Sequence, residues 1–242
     1  MILRRFKQAL GRFIIPKLPI SRYAFDIFRL EINALIVRME NQLNPWRLNK
    51  IYALRKTSDL SVNIGCGPFG KEGWVNLDLM KGKNVSLRFD CRRRLPFRDD
   101  SVARIRCEHF FEHLDHYQEA PFFLKSCYRS LKRHGVMRIV VPDAELFLSA
   151  YSAASRDAWK SLGWNLNHLP EGFQSEMDIL NHIFHQGGEH RHAYDFKSLE
   201  IMLRSTGFKT VQKVEFAVSS DPELRHDLPN HKNHSLYVEA IK

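Results

Sequence analysis

The sequence predicts an α/β fold: a mostly parallel seven-stranded sheet with a helical arm before it and a helical insertion within it. Three observations carry this. From residue 60 onward, short apolar and partly β-branched runs alternate with helical patterns, as parallel strands joined by crossovers do. The first two runs flank a glycine turn, "VNIGCGP" (62–68), and the second of them ends at the acid Asp78. The last two runs are joined by a loop without helical period, so they pair as an antiparallel hairpin at the sheet's edge.

The arm spans residues 1–57. Its start, "MILRRFKQALGRFII", puts Ile2, Phe6, Leu10 and Phe13 near one helical face, with Arg5, Lys7 and Arg12 elsewhere. Such a helix suits three placements: on its own domain or a second copy of the chain, on an anionic membrane through residues 1–20, or in a transit peptide. Pro16 and Pro19 end it, and helical periodicity resumes over 23–43 as far as Pro45. Residues 1–60 hold twelve Lys/Arg against four Asp/Glu, so +8 of the net charge of +10 lies here. The rest is nearly neutral, which argues against nucleic acid as a partner. No apolar run approaches the ~18 residues of a membrane span. The four cysteines, Cys66, Cys91, Cys107 and Cys127, make no CxxC pair, as in a reduced cytoplasmic protein. If the arm meets lipid, the inner face of the membrane is the expected location.

The main domain spans 58–242. Its strands are expected at 60–64, 74–79, 85–89, 102–107, 136–141, 210–218 and 235–241. The clearest helices are 117–133, closed by His134-Gly135, and 195–208, opening at Asp195 and ending at Gly207. Residues 144–194 fit no strand repeat, hold Trp159, Trp164, Phe173 and many histidines, and read as a helical insertion or lid.

Gly65 and Gly67 allow a sharp turn and close approach of a ligand. Asp78 can accept two hydrogen bonds from a ribose diol. A dinucleotide fingerprint needs a third glycine and a following helix, whereas "GCGPFGKEG" has Pro68 and too few residues for a helical crossover. The turn therefore suits a nucleoside without phosphates.

Four stretches in order, "VNIGCGP", "GWVNLDL", "LPFRDDSVARIRCEHFFEHL" and "LKRHGVMRIVVPD", resemble the class I S-adenosylmethionine-dependent methyltransferases. The resemblance covers about 58–242 and implies a Rossmann-like fold and S-adenosylmethionine as cofactor. More narrowly, the chain is similar to small methyltransferases associated with bacterial surface-polysaccharide pathways. The resemblance implies that Gly65, Cys66 and Gly67 line the cofactor's methionine and ribose, and that Asp78 holds the ribose hydroxyls. It sets Asp90 and Cys91 beside the adenine, and Glu108 and His109 near the methionine and methyl group. Asn63 stands where an acid is common, able to hydrogen-bond the amino group but not to neutralise it.

Methyl transfer to an alcohol benefits from a general base. "HIFHQGGEHRHAYD" (182–195) offers His190 and His192 first, with Asp143 as a rival, while bracing of the lid is the alternative role for these histidines. Asp195 is expected as a helix cap. His182, His185, Glu189 and His190 lack the spacing of a metalloprotease motif, so no metal site is expected. The acceptor is expected to be a hydroxyl of a glycan or small metabolite. Two other readings stay open: a cofactor-free scaffold, and a methyltransferase acting on protein or RNA.

Overall fold

A computed structural model describes Pro19 and residues 21–242. The amphipathic stretch 1–15 and Pro16 lie outside the described residues. Helix α1 (Arg22–Leu43) opens at Ser21, whose hydroxyl accepts from the Ala24 amide at 3.1 Å. Pro45 cannot continue α1 but suits the first position of the next helix, so α2 (Pro45–Lys56) starts there under an Asn44 cap. Neither helix, nor any other among the described residues, is long and apolar enough to cross a membrane.

The sheet comprises β1 (Leu60–Ile64), β2 (Val75–Asp78), β3 (Leu87–Arg88), β4 (Val102–Glu108), β5 (Leu131–Pro142), β6 (Thr210–Val214) and β7 (Ser235–Ile241). Their order is β3-β2-β1-β4-β5-β7-β6. The first five pair in parallel, and β7 runs against both β5 and β6. The antiparallel strand thus sits one place in from the edge strand β6. Its register opposes Ser235 to Pro142, which brings the start of β7 to the carboxyl end of β5.

Helices α3 (Glu119–Ser130) and α7 (Phe196–Thr206) bury Phe123, Leu124, Leu199 and Leu203 in the same core as Val62, Leu77, Ile105 and Ile139 of the strands. Ile51 of α2 joins this core, so the second arm helix packs on the main domain. Between β5 and α7, helices α4 (Ala144–Ala153), α5 (Arg156–Ser161) and α6 (Glu176–His185) form a second apolar cluster around Phe147, Trp159 and Ile179.

The strand expected over 85–89 shortens to Leu87–Arg88, and two other boundaries depart further. The helix expected to run to residue 133 ends at Ser130, because Leu131 already pairs with Val102 of β4. His134-Gly135 is therefore no helix cap. It belongs to an irregular stretch of β5, where the register with β4 slips and His134 adopts a φ of 63°. The strand expected over 210–218 stops at Val214, and Ala217 beyond it has a φ of 56°. Asp195 and Gly207 close α7 as expected, Asp195 accepting from the Ser198 amide at 2.8 Å.

Candidate active site

The glycine turn leaves β1 at the carboxyl edge of the sheet, where such sheets bind ligands. Gly65 and Gly67 have φ of 64° and 50°, a region that residues with a Cβ rarely enter. Gly65 has a second reason: a Cβ there would lie 2.6 Å from the Phe110 side chain. No helix forms between β1 and β2. The Gly67 amide instead donates to Asp78 Oδ2 at 2.8 Å, and the Met80 amide donates to Oδ1 at 2.7 Å. Asp78 thus clips the turn, and each oxygen retains acceptor capacity. Asn63 is buried and its amide nitrogen is 3.3 Å from both Phe69 O and Asn76 Oδ1, so it braces the loop that replaces the crossover helix.

A cavity of about 250 Å³ opens beside this turn. Its floor is Asn63 with residues 65–69, its wall is Arg106, Glu108 and His109, and its roof is Leu228 and His231. Glu108 is held from three sides. The Arg106 guanidinium pairs with it, His231 Nδ1 lies 2.8 Å away, and the Leu228 amide donates at 3.1 Å. Burial alone would raise the Glu108 carboxyl, but His231 and Arg106 outweigh it and hold it below the ordinary range. Arg106 lines the cavity, and its Nε is buried without an acceptor among the described residues.

His109 has a φ of 49°, and its Nε2 lies 2.9 Å from Ser235 Oγ at the start of β7. Its ring stacks on His231 at 3.8 Å between centroids and meets His234 edge-on at 6.1 Å. Burial, then the two neighbouring imidazoles, push His234 down to about 4. Burial pushes the Cys66 thiol up to about 12, so it remains a neutral part of the floor.

The remaining expected residues stand apart from this cavity. Asp90 is buried between Arg38 of α1 and Arg92; burial would raise it, but the guanidinium groups hold it below the carboxylate range. Arg92 also reaches Glu31 and Glu119, so the expected adenine contact is tied into an ion-pair network with α1. Cys91 is buried in the core. Asp143 caps α4 by accepting from the Glu145 amide at 3.0 Å and lies 3.3 Å from Lys213 Nζ. His192 stacks on His116 at 3.8 Å, and burial lowers its pKa. His190 donates from Nδ1 to Ile183 O at 2.6 Å, is lowered by burial, and lies behind Glu112. His182 sits against the Phe173 and Trp164 rings rather than beside His185 or Glu189 in a metal-holding group.

Sequence reasoning missed Arg106, Leu228 and His231. A signal existed for the last two. An antiparallel final strand must begin at the carboxyl edge, so the residues just before it, "DLPNHKNH" (227–234), arrive beside β4 and β5.

Several solved structures are similar in shape at low identity. A SAM-dependent methyltransferase from Archaeoglobus fulgidus is 17% identical over 84% of this chain and 98% of its own, with a TM-score of 0.45. One from Thermotoga maritima is 15% identical over 97% and 99%, with a TM-score of 0.45. One from Methanosarcina mazei is 16% identical over 80% and 96%, with a TM-score of 0.44. No protein-family model matches the chain, and no curated protein matches it. The strand order itself, with one antiparallel strand next to the edge, makes this a Rossmann-like sheet of the class I methyltransferase type.

Proposed function

We propose that the protein is an S-adenosylmethionine-dependent methyltransferase acting on a hydroxyl of a glycan or small metabolite. One observation carries the cofactor reading: a helix-free glycine turn clipped by Asp78, beside a cavity walled by the end of β4. No helix follows the glycine turn between β1 and β2, so no helix N-terminus stands there to favour a pyrophosphate. The uncommitted Arg106 N–H fits the carboxylate of an amino-acid moiety. At about 250 Å³ the cavity is below the ~300–1,000 Å³ of most small-molecule sites, so Leu228 and His231 would have to lift for a whole nucleoside to enter. Bound there, S-adenosylmethionine supplies an electrophilic methyl group on a sulfonium.

The chain's own task is then to hold the acceptor oxygen in line with that methyl group and to receive its proton. His109 and His231 line the cavity and are better situated for the proton than His190 or His192. Trp164 and Phe173, stacked at 5.9 Å and partly exposed in the lid, support a sugar-like acceptor. Trp159 does not contribute to that surface, since it is fully buried in the lid's own core. A cofactor-free scaffold is the second reading, favoured by the small cavity and by the engagement of Asp90 with Arg38 and Arg92.

Calorimetric titration with S-adenosylhomocysteine tests the choice, with NAD as control. Micromolar binding is expected, weakened more than tenfold in Asp78→Ala while the melting curve stays cooperative. No binding by folded wild-type protein would favour the scaffold, and undiminished binding by the variant would remove Asp78 from the site.

A further inference from the structure

Glu112 lies in a short 3₁₀ turn (Phe111–His113) just past β4 and is 2% exposed. Neither of its carboxylate oxygens meets a donor in hydrogen-bonding geometry among the described residues. A buried carboxylate without hydrogen bonds costs several kcal/mol or more, so it calls for a partner. No lysine or arginine pairs with it among the described residues. Imidazoles face it instead: His109 Nδ1 at 3.3 Å and His190 Nε2 at 3.9 Å from Oε1. His113 follows it in the chain, and its ring meets that of His190 edge-on with centroids 4.9 Å apart.

The two imidazoles of His113 and His190 are oriented alike. His113 Nδ1 donates to Glu189 O at 3.0 Å, and His190 Nδ1 donates to Ile183 O at 2.6 Å. A carbonyl can only accept, so each Nδ1 carries a proton, and in the neutral ring each Nε2 presents a lone pair. Histidines that ligate metals are held in this way, by a hydrogen bond from the other ring nitrogen to a backbone carbonyl or carboxylate. The backbone also fastens the two segments together, since the Arg191 amide donates to Glu112 O at 2.8 Å. One ligand atom from each of Glu112, His113 and His190 can be chosen so that all lie within 4.8 Å of one another. Ligands about 2.0–2.1 Å from one ion stand about 3.3 Å apart, so closure needs a movement of about 1.5 Å at most. His113, only partly buried, is the least confined of the three.

We propose that Glu112, His113 and His190 bind a divalent transition-metal cation at the exit of β4. Two imidazoles and one carboxylate favour zinc, cobalt, iron(II) or manganese over magnesium or calcium, which prefer all-oxygen sites. Three protein ligands leave at least one position for an oxygen ligand, water or a hydroxyl of another molecule. His109 stands between this group and the cavity, touching Glu112 on one side and lining the cavity on the other. Binding of the ion does not depend on the methyl-transfer reading. Its use does: a hydroxyl held on the ion loses its proton more readily, and such a hydroxyl would belong to the methyl acceptor.

The test is a cobalt(II) titration of untagged full-length protein, followed by visible absorption, with zinc and magnesium as competitors. One saturable cobalt per chain is expected, displaced by zinc and not by a tenfold excess of magnesium. Glu112→Gln and His190→Ala should each weaken it more than tenfold, and His168→Ala, at an exposed site away from the group, should leave it unchanged. Should either buried-site variant lose its cooperative melt, the partly exposed His113→Ala gives the same reading in a folded protein. Absence of a saturable cobalt band in the wild type overturns the proposal, as does a band that survives all three substitutions. S-adenosylhomocysteine titrated in parallel separates the two ideas: the nucleoside binding without cobalt defeats only the metal site, and cobalt binding without the nucleoside defeats only the methyltransferase reading.

Discussion

His234 has a partly buried ring that faces two other imidazoles, those of His109 and His231, with the Phe147 ring on another side. In the unfolded chain its pKa returns to about 6.5, whereas in the fold it is near 4. Protonation therefore favours the unfolded chain. The stabilising contribution of the neutral ring is complete above about pH 6.5 and is lost as the pH falls toward 4. His190 and His192 are lowered by burial as well, so their protonation shifts stability in the same direction. His234→Gln should make the drop in Tm between pH 7 and pH 4.5 shallower than in the wild type, and parallel curves would show that the ring is not held neutral. At this scale the sequence was informative where backbone chemistry selects the residue. Gly65 and Gly67 could be placed because a turn without helix needs left-handed backbone; Asp78 is expected from the sequence at a ribose diol, and its clip on the Gly67 and Met80 amides is legible only in the fold. His231 and Glu112 could not be ranked, because their significance comes from partners more than 70 residues away in the chain, Glu108 and His190.

Helix α7 is specified mostly by its ends. Asp195 and Ser198 exchange hydrogen bonds between side chain and backbone, and Gly207 stops the helix with a φ of 120°. Losing such a cap costs about 1 kcal/mol, which in a chain of this size is about 2–4 °C in Tm. Asp195→Ala should lower Tm by that amount and Asp195→Asn by clearly less, since Asn still accepts from the Ser198 amide; equal losses would mean that charge rather than capping matters. Local signals of this kind made α7 legible, and the buried strands were legible as apolar runs because helices cover both faces of the sheet. The extended β5 and the curtailed β6 were not. Leu131 becomes strand only because Val102 is there to pair with it, and residues 215–218 turn away so that Glu215 O and Val218 O can accept from Arg138. The helical arm likewise looked like a separate unit from its charge. Ile51 and the pairing of Arg38 with Asp90 tie it to the sheet, contacts that no local pattern announces.

Across the molecule, the roof of the cavity is fastened to the sheet by one buried arginine. Arg138, at the centre of β5, is fully buried and holds Asp227 through Nε at 2.8 Å and Nη2 at 2.6 Å, and Glu239 of β7 through Nη1 at 3.1 Å. Asp227 also accepts from the Ala217 amide and Glu239 from the Ser220 amide, so the triad gathers the whole β6–β7 connection. Leu228, next to Asp227, and His231 then reach Glu108 over the cavity. Removing one partner of such a group leaves uncompensated buried charge and costs about 3–5 kcal/mol. Arg138→Met should therefore lower Tm by about 6–20 °C. Because two carboxylates in the anchor of the roof lose their counter-charge, it should also weaken S-adenosylhomocysteine binding measured well below the new Tm. The neutralised set Arg138→Met, Asp227→Asn, Glu239→Gln should recover part of the stability by removing the buried charge, while the roof, deprived of the arginine's five-point grip, should leave binding weak. Recovery of both together would show that the arginine only balances charge; a loss of stability with binding untouched would uncouple the roof from its anchor.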